Sequence, residues 1–305
     1  MCRVLAYLGR PLPLGVVLYD TDNSLVRQAH SPRMTAMLNL AGFGVAAWDP
    51  RSVAPHEPLL YRSTALPVYD RNLRNLARKV APTCALAHVR GVELSEVGVV
   101  SELSLHPFHW PGTRVAFAHN GHLREFDRMR FSLVPHIHAE LQRRIGGMGD
   151  TEWLYAVFLS QLRDPYGTPA ANELADAAVK TLGIVRAMRE LHGIETSSPT
   201  NLFATTGRDL VATRFSFDYG WYPDVDSLLE VDLPFVSLWY TLGDAYALHD
   251  GEWTMGSDYP ICSLLLASEP LTVDSSTWLE VPEYSLLVGS LDREQLHVEL
   301  HDLDV

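Results

Sequence analysis

The first segment of the chain constrains the fold most, because an apolar run begins directly after the initiator methionine. Residues 2–8 predict a buried strand, and Cys2 opens it. If Met1 is removed, Cys2 carries a thiol and a free α-amine, whose unperturbed pKa of roughly 7.7–8.0 lets it accept the thiol proton directly or through a water. An N-terminal threonine is activated by its own amine in the same way. The alternative is that Cys2 is an ordinary small apolar residue, because most cysteines are simply buried.

The bulk composition narrows the classes of function. The 305 residues suffice for one large or two ordinary domains, and 47% hydrophobic content with 10% aromatics fits a globular protein with a large core. A net charge of −13, from 37 acidic and 24 basic residues, disfavours nucleic-acid binding, which usually needs a basic patch. Three cysteines without a secretory signal are too few for a disulfide framework. No run of ~18 apolar residues occurs, so we expect no membrane span and a cytoplasmic protein.

Helix and strand patterns recur along the whole chain. Helical spacing begins after Asp70, a predicted N-cap, and again from residues 150–152, whose acidic side chains suit a helix N-terminus. Further helices are predicted over 133–145 and about 170–192, with Gly193 after the second. Because no repeat or low-complexity linker occurs, we predict a single domain of two sheets with flanking helices. The other strand predictions are 42–48, 59–64, 84–90, 115–119, 202–205, 210–214, 236–241, 245–249, 263–268 and 285–288.

Four polar features stand in a fixed order. After Cys2, Arg90 ends an apolar strand, His119-Asn120-Gly121 ends another, and Gly149-Asp150-Thr151-Glu152 precedes a helix. Taken singly, each has a simpler interpretation: a surface arginine, a turn and a helix cap. Asn-Gly is a turn signal, but it also places a polar donor beside a bare backbone amide. The joint order favours the functional interpretation.

Together these motifs resemble the glutamine amidase domain of the class II glutamine amidotransferases, which have the N-terminal-nucleophile hydrolase fold. The likeness is closer to the stand-alone members, including the γ-glutamyl hydrolases of ergothioneine synthesis and of glutathione degradation. The resemblance implies an α+β fold, a four-layer αββα sandwich of two packed antiparallel sheets flanked by helices, in one class II glutamine amidotransferase domain over residues 1–305. Other segments similar to that subgroup are 42–45, 61–63, 106–108, 201–202 and 267–271.

The resemblance also implies a chemistry. Cys2 would attack the side-chain amide carbon of glutamine, form a γ-glutamyl thioester and release ammonia, with its own amine shuttling the proton. The Asn120 side-chain amide and the Gly121 backbone N–H match the family's oxyanion hole, in which one donor is typically worth ~2.7–4 kcal/mol. Arg90 matches the arginine that grips the α-carboxylate, for which a planar guanidinium gives bidentate geometry. Asp150 matches the aspartate that pairs with the α-ammonium.

The remaining histidines and cysteines are expected to support the fold or the pocket. His106, in one of the shared segments, is grouped with the substrate-binding residues, whereas His88 and His119 are predicted to be hydrogen-bonded histidines behind the site. Cys84 and Cys262 lie in apolar strands and are predicted to be inert. We expect no cofactor and no metal, because the spacing of the histidines at 106, 109, 136 and 138 matches neither a zinc finger nor a His-Glu-x-x-His site.

Three functions remain open at this point. The first is a glutamine amidase that delivers ammonia to a synthase. We expect that synthase to be a separate protein, because no nucleotide, phosphate or sugar-phosphate signature of a second active site is recognisable in the chain. The second is a hydrolase of a γ-glutamyl small molecule or peptide, with water as the acceptor. The third, a silent scaffold, is disfavoured because it needs none of the five motif residues. Departures from the subgroup at 41–42, 91–95 and 104–105 bear on substrate identity more than on chemistry.

Overall fold

The computed structural model describes residues 2–34, 38–91, 101–219, 236–257, 259–292 and 295–305. Met1 and residues 92–95 fall outside these ranges, so the removal of Met1 and the role of that loop stay predictions. The strands are β1 (Arg3–Leu8), β2 (Phe43–Trp48), β3 (Leu59–Ser63), β4 (Cys84–Val89), β5 (Ala116–Gly121), β6 (Ser198–Thr205), β7 (Asp209–Arg214), β8 (Ser216–Phe217), β9 (Trp239–Gly243), β10 (Tyr246–His249), β11 (Glu252–Met255), β12 (Ser263–Ala267), β13 (Leu279–Glu280), β14 (Ser285–Asp292) and β15 (Gln295–Asp302). The helices are α1 (Leu25–His30), α2 (Arg71–Ala77), α3 (Phe126–Met129), α4 (Ala139–Gln142), α5 (Asp150–Gln161) and α6 (Ala171–Leu191).

The strands form two large antiparallel sheets. The first has the order β13-β9-β12-β1-β4-β2-β3, so β1 lies at its centre. The second has the order β15-β14-β7-β6-β5, with β8 paired to β6, and β10 and β11 form a separate hairpin. A central β1 accounts for its uninterrupted burial, because neighbours cover both its edges and both its faces.

The two sheets pack face to face with helices outside them. Along β1, Val4, Ala6 and Leu8 point to the second sheet, while Leu5 and Tyr7 point to the layer that contains α1 and α2. The outer face of the second sheet packs against α5 and α6. Burying one such large apolar side chain contributes about 1.5–3 kcal/mol, so these three apolar layers hold the sandwich together. The predicted αββα arrangement is confirmed.

The residues predicted to lie at the ends of two helices are also confirmed. The Asp70 carboxylate accepts hydrogen bonds from the backbone N–H groups of Asn72 and Leu73, which caps α2. The residue after α6 and its cap, Gly193, has a φ of +59°, a left-handed conformation that favours glycine. None of the helices in the described ranges has the combination of length and hydrophobicity that a membrane crossing requires.

The helix predicted over 133–145 is wrong in its extent. A 3₁₀ segment, Arg130–His136, comes first, and only the four residues of α4 are α-helical. Pro135 lies inside the 3₁₀ segment, and because it has no N–H group it cannot continue an α-helical hydrogen-bond ladder.

Candidate active site

Strand register brings Cys2 and Arg90 to one end of the first sheet. Strands β1 and β4 run antiparallel with Arg3 opposite Val89, so the next pair along is Cys2 and Arg90. Because side chains alternate along a strand, both belong to the face that carries Val4 and meets the second sheet. Two residues that lie far apart in the sequence are thereby neighbours at one end of the inter-sheet core.

Both the side chain and the backbone of Cys2 make close contacts. Its sulfur lies 3.4 Å from the backbone nitrogen of Gly91 and 3.7 Å from the Gly91 carbonyl oxygen, and the residue is 7% exposed. Arg3 donates to the Cys2 carbonyl at 3.1 Å and forms a buried ion pair of 3.0 Å with Glu269. Glu269 also accepts from the Arg33 backbone N–H at 2.8 Å, so several anchors fix the start of β1. Sequence reasoning missed this pair, although a charged residue inside an apolar run was a usable signal.

Arg90 keeps unused hydrogen-bond donors. Its backbone N–H donates to the Gly42 carbonyl at 2.9 Å, and its Nη1 donates to the Ser104 carbonyl at 2.6 Å. Its Nε is buried and has no hydrogen-bond partner among the described residues. A guanidinium has five N–H donors, so this side chain retains the capacity to bind a carboxylate.

Asn120 and Gly121 form the end of β5 and not a hairpin turn. Asn120 pairs with Asn201 of β6, and its Nδ2 donates to the Ser268 hydroxyl at 3.1 Å. Asn120 is almost fully buried, and its Oδ1 has no partner within the described ranges. A Cβ on Gly121 would overlap the Pro199 carbonyl group, so only glycine fits at this close approach of β5 to β6.

Asp150 is the first residue of α5 and carries a well-bonded carboxylate. It accepts from the Leu123 backbone N–H at 2.9 Å and from the Thr151 hydroxyl at 3.2 Å. His119 and His122 place a ring nitrogen 3.9 and 3.7 Å away. Burial by itself raises the pKa of Asp150, but the two histidines and the hydrogen bonds outweigh it and leave the pKa below its usual value. The carboxylate is therefore ionised at neutral pH.

Glu152 organises the loop that precedes Asp150. Its two carboxylate oxygens accept from the backbone N–H groups of Gly146 and Gly147 at 3.1 and 2.6 Å. A glutamate in the first turn of a helix is also favoured by the helix dipole. In the sequence, Glu152 is recognisable only as part of the motif before α5.

His88 and His106 form a buried pair near the base of Arg90. His88 belongs to the same face of β4 as Arg90, one layer deeper, and its ring centroid lies 4.2 Å from that of His106. Burial, and next the charge of Arg90, lower the pKa of His88 to about 3, and burial also holds the pKa of His106 well below its usual value. Both rings are therefore neutral. In the described part of the chain, neither ring nitrogen of His88 makes a hydrogen bond of good geometry, but the His119 backbone is near enough to act on its pKa, so the predicted supporting role of His88 stays a prediction.

The other predicted residues lie as follows. His119 is buried, and its Nδ1 lies 3.2 Å from the Thr151 hydroxyl, which agrees with the prediction that this histidine is hydrogen-bonded. Cys84 and Cys262 are free and buried, and burial raises the pKa of Cys84 to about 12, which makes it unreactive. Within the described ranges, no three His, Cys, Asp or Glu side chains lie close enough together to hold a metal ion.

The predicted site residues thus meet at one end of the sandwich. Cys2 and Arg90 are register neighbours, and Asn120 is joined to their sheet through Ser268, which also binds the backbone of Val4. Asp150 binds the segment that follows Gly121, and His106 stacks on His88. A groove of about 800 Å³ lies elsewhere, between α6 and strands β14 and β15, and contains none of these residues.

The fold and this arrangement agree with a family assignment. The family described as glutamine amidotransferases class-II matches residues 33–289. The chain belongs to the class II glutamine amidotransferases. The matched residues include Arg90, Asn120, Gly121 and Asp150, whereas Cys2 lies before them.

Individual relatives support the same family. The chain is 28% identical to a probable glutamine amidotransferase, DUG3, of Saccharomyces cerevisiae, over 97% of this chain and 84% of the yeast protein. Among solved structures, a glutamine aminotransferase class-II domain protein from Silicibacter pomeroyi is 22% identical, with a TM-score of 0.61 and both chains fully covered. The glutamine phosphoribosylpyrophosphate amidotransferase of Bacillus subtilis is 16% identical, with a TM-score of 0.55 over all of this chain and 50% of that one. These structures establish the N-terminal-nucleophile hydrolase type of fold.

Proposed function

We propose that this class II glutamine amidotransferase is a cysteine-dependent amidohydrolase that cleaves the side-chain amide of glutamine to glutamate and ammonia. The observation that carries the proposal is the β1–β4 register, which places Cys2 beside Arg90 at the end of the sheet that Ser268 joins to Asn120. A nucleophile, a carboxylate-binding cation and an amide donor then lie at the same end of the inter-sheet core. We also propose that residues 1–305 act as one domain, because strands after residue 236 complete both sheets.

In the proposed reaction, Cys2 acts only after Met1 has been removed. Its α-amine takes the thiol proton, and the sulfur attacks the γ-amide carbon of glutamine. The Asn120 side-chain amide and the Gly121 N–H donate to the oxyanion that forms. The tetrahedral intermediate then collapses to a thioester as the amine returns the proton to the departing nitrogen, which leaves as ammonia. Water cleaves the thioester, which releases glutamate and restores the thiol.

The α-carboxylate and α-ammonium groups of the substrate are proposed to bind to side chains of opposite charge. Arg90, with its unused donors, takes the α-carboxylate, and the ionised Asp150 takes the α-ammonium. His106, buried and neutral, is proposed to form part of the pocket wall and to leave the positive charge to Arg90. No cofactor is needed for this sequence of steps.

The alternative is a γ-glutamyl hydrolase that uses the same head group and releases an amine or a peptide in place of ammonia. The departure from the subgroup's pattern around residue 91 favours a distinct leaving group, because the Gly91 backbone lies against the Cys2 sulfur. If ammonia is instead transferred, its acceptor is a separate synthase. A cytoplasmic location stays a prediction.

The test is to incubate the purified protein with glutamine and with γ-glutamyl dipeptides and to follow release of glutamate, ammonia and free amino acid. We expect Cys2→Ala to reduce turnover by at least about 1,000-fold, because the nucleophile is lost, whereas Cys84→Ala, the matched buried cysteine, should stay within about twofold. Intact mass should show that the active protein lacks Met1. Turnover that survives Cys2→Ala, or an active protein that retains Met1, would contradict the proposal.

A further inference from the structure

Ser268 joins the two halves of the candidate site. It directly follows β12 and is 1% exposed. Its hydroxyl accepts from the Val4 backbone N–H at 2.9 Å and from Asn120 Nδ2 at 3.1 Å, and it donates to the Val4 carbonyl at 3.4 Å. Its own backbone N–H also donates to the Val4 carbonyl, at 3.0 Å. Ser268 therefore bonds the strand of Cys2 and the side chain of Asn120 at the same time.

These contacts use the whole hydrogen-bonding capacity of the hydroxyl. A serine hydroxyl has one donor and two acceptor lone pairs, and here all three are occupied by Val4 and Asn120. Ser268 has no lone pair or proton left for a substrate. Its contribution to a reaction must therefore be made through the groups that it holds.

The bond to Ser268 fixes the plane of the Asn120 amide. An amide NH₂ carries two donors in one plane with its carbonyl. One of them points at Ser268, and no second partner for Nδ2 occurs among the described residues. Because the amide is planar, the direction of the second N–H group of Asn120 is then fixed as well. Most of the surrounding contacts between the two sheets are made by apolar side chains, which do not fix the direction of an N–H group.

We infer that Ser268 is a positioning residue that aims the free N–H of Asn120 at the carbonyl attacked by Cys2. The inference rests on the proposed function. Because the hydroxyl also binds the backbone two residues after Cys2, the distance between nucleophile and oxyanion donor is set by one side chain. Misplacing a reacting group by about 1 Å can cost roughly 100-fold in rate, so this link bears on turnover more than on binding.

The test compares Ser268→Ala with Ser268→Thr, which keeps a hydroxyl, and with Ser263→Ala. Ser263 is the matched control, because it is a fully buried serine at the opposite end of β12, where its hydroxyl bonds Tyr7 and the Arg10 backbone. We expect Ser268→Ala to lower kcat by about 10- to 100-fold with KM changed less than about twofold. Ser268→Thr should recover part of the loss, and Ser263→Ala should leave kcat unchanged.

A double-mutant cycle and an activity-independent measurement complete the test. Ser268→Ala should cost nothing further in an Asn120→Ala background, because the group it positions is already absent. In NMR spectra, the Asn120 side-chain amide protons, assigned by their loss in Asn120→Ala, should exchange slowly in the wild-type protein and faster in Ser268→Ala. Additive losses, an equal loss in Ser263→Ala, or unchanged amide exchange would each overturn the inference. Absence of turnover in the wild-type protein would overturn the proposed function, and the exchange measurement would still decide the role of Ser268.

Discussion

Cys2 and Cys84 lie on the same face of the same sheet and have opposite surroundings. Cys2 pairs with Arg90 at one end of β1 and β4, and Leu8 pairs with Cys84 at the other end, about 20 Å away along the strands. The Cys84 sulfur lies 3.3 Å from the Thr205 hydroxyl, inside the apolar inter-sheet cluster. The two thiols therefore differ in their surroundings because they lie at opposite ends of the inter-sheet core, although they share one face of the sheet.

The two ends differ in how their polar groups are supported. At the Cys2 end, Asn120 and two neutral histidines are buried beside the half-buried Arg90, and several atoms of these four side chains have no partner in the described ranges. At the Cys84 end, apolar side chains such as Trp48 and Leu210 surround the contact between the thiol and the Thr205 hydroxyl. Unpartnered polar atoms cost stability, so they persist where they serve another purpose, such as binding a substrate.

Crowding at the Cys2 end gives the largest expected effect. Gly121→Ala should destabilise the protein by roughly 2–4 kcal/mol and abolish turnover, because the added methyl overlaps the Pro199 carbonyl and displaces the end of β5. The matched control is Gly183→Ala, since a Cβ at this helical position meets nothing within 4 Å. It should stabilise the protein by about 0.5–1 kcal/mol. Thermal or urea unfolding measures both, and equal effects would show that the end of β5 has room to relax.

The second prediction compares the two thiols directly. Iodoacetamide at pH 7.5 should alkylate Cys2 at least about 100-fold faster than Cys84, because burial raises the pKa of Cys84 to about 12 and leaves almost no thiolate. Peptide mass spectrometry over a time course gives both rates. Glutamine should slow the modification of Cys2 only. Similar rates at the two positions would contradict the distinction between the two ends of the core.

Many of the local elements could be predicted from the sequence, but the order and pairing of the strands could not. The apolar runs of β1 and β4, the Asp70 cap and the ends of α6 follow from local patterns. Ser268 and Asn120 are 148 residues apart, and their contact depends on how both sheets are ordered. The same holds for the ion pair of Arg3 with Glu269. Strand β15 is not among the strands predicted from the sequence, although Leu296, Val298 and Leu300 alternate with polar residues in the period-of-two pattern of a strand.

The third prediction concerns acid. His88 has a pKa of about 3 when folded and about 6.5 when unfolded. Between these values the unfolded chain binds a proton that the folded chain does not, so stability present above pH 6.5 is lost as the pH falls. The loss due to His88 is about 1.4 kcal/mol per pH unit.

His88→Gln should therefore flatten the pH dependence of the unfolding free energy by about one proton, measured in urea between pH 4 and 7. His30→Gln, at an exposed histidine at the end of α1, is the control and should leave the slope unchanged. An unchanged slope in His88→Gln would show that the ring is protonated in the folded protein.

The smallest expected effect lies at the apolar end. Cys84→Ala removes one sulfur and its contact with Thr205, which should cost about 1 kcal/mol of stability and nothing in kcat, because Cys84 lies at the opposite end of β4 from Arg90 and Cys2. Cys84→Ser should cost more stability than Cys84→Ala, because a buried hydroxyl replaces a thiol in an apolar cluster. Both should leave KM unchanged. A change in kcat from either variant would mean that packing around Cys84 affects the Cys2 end through β4. The two ends of the inter-sheet core would then act together, and the contrast between them would not hold.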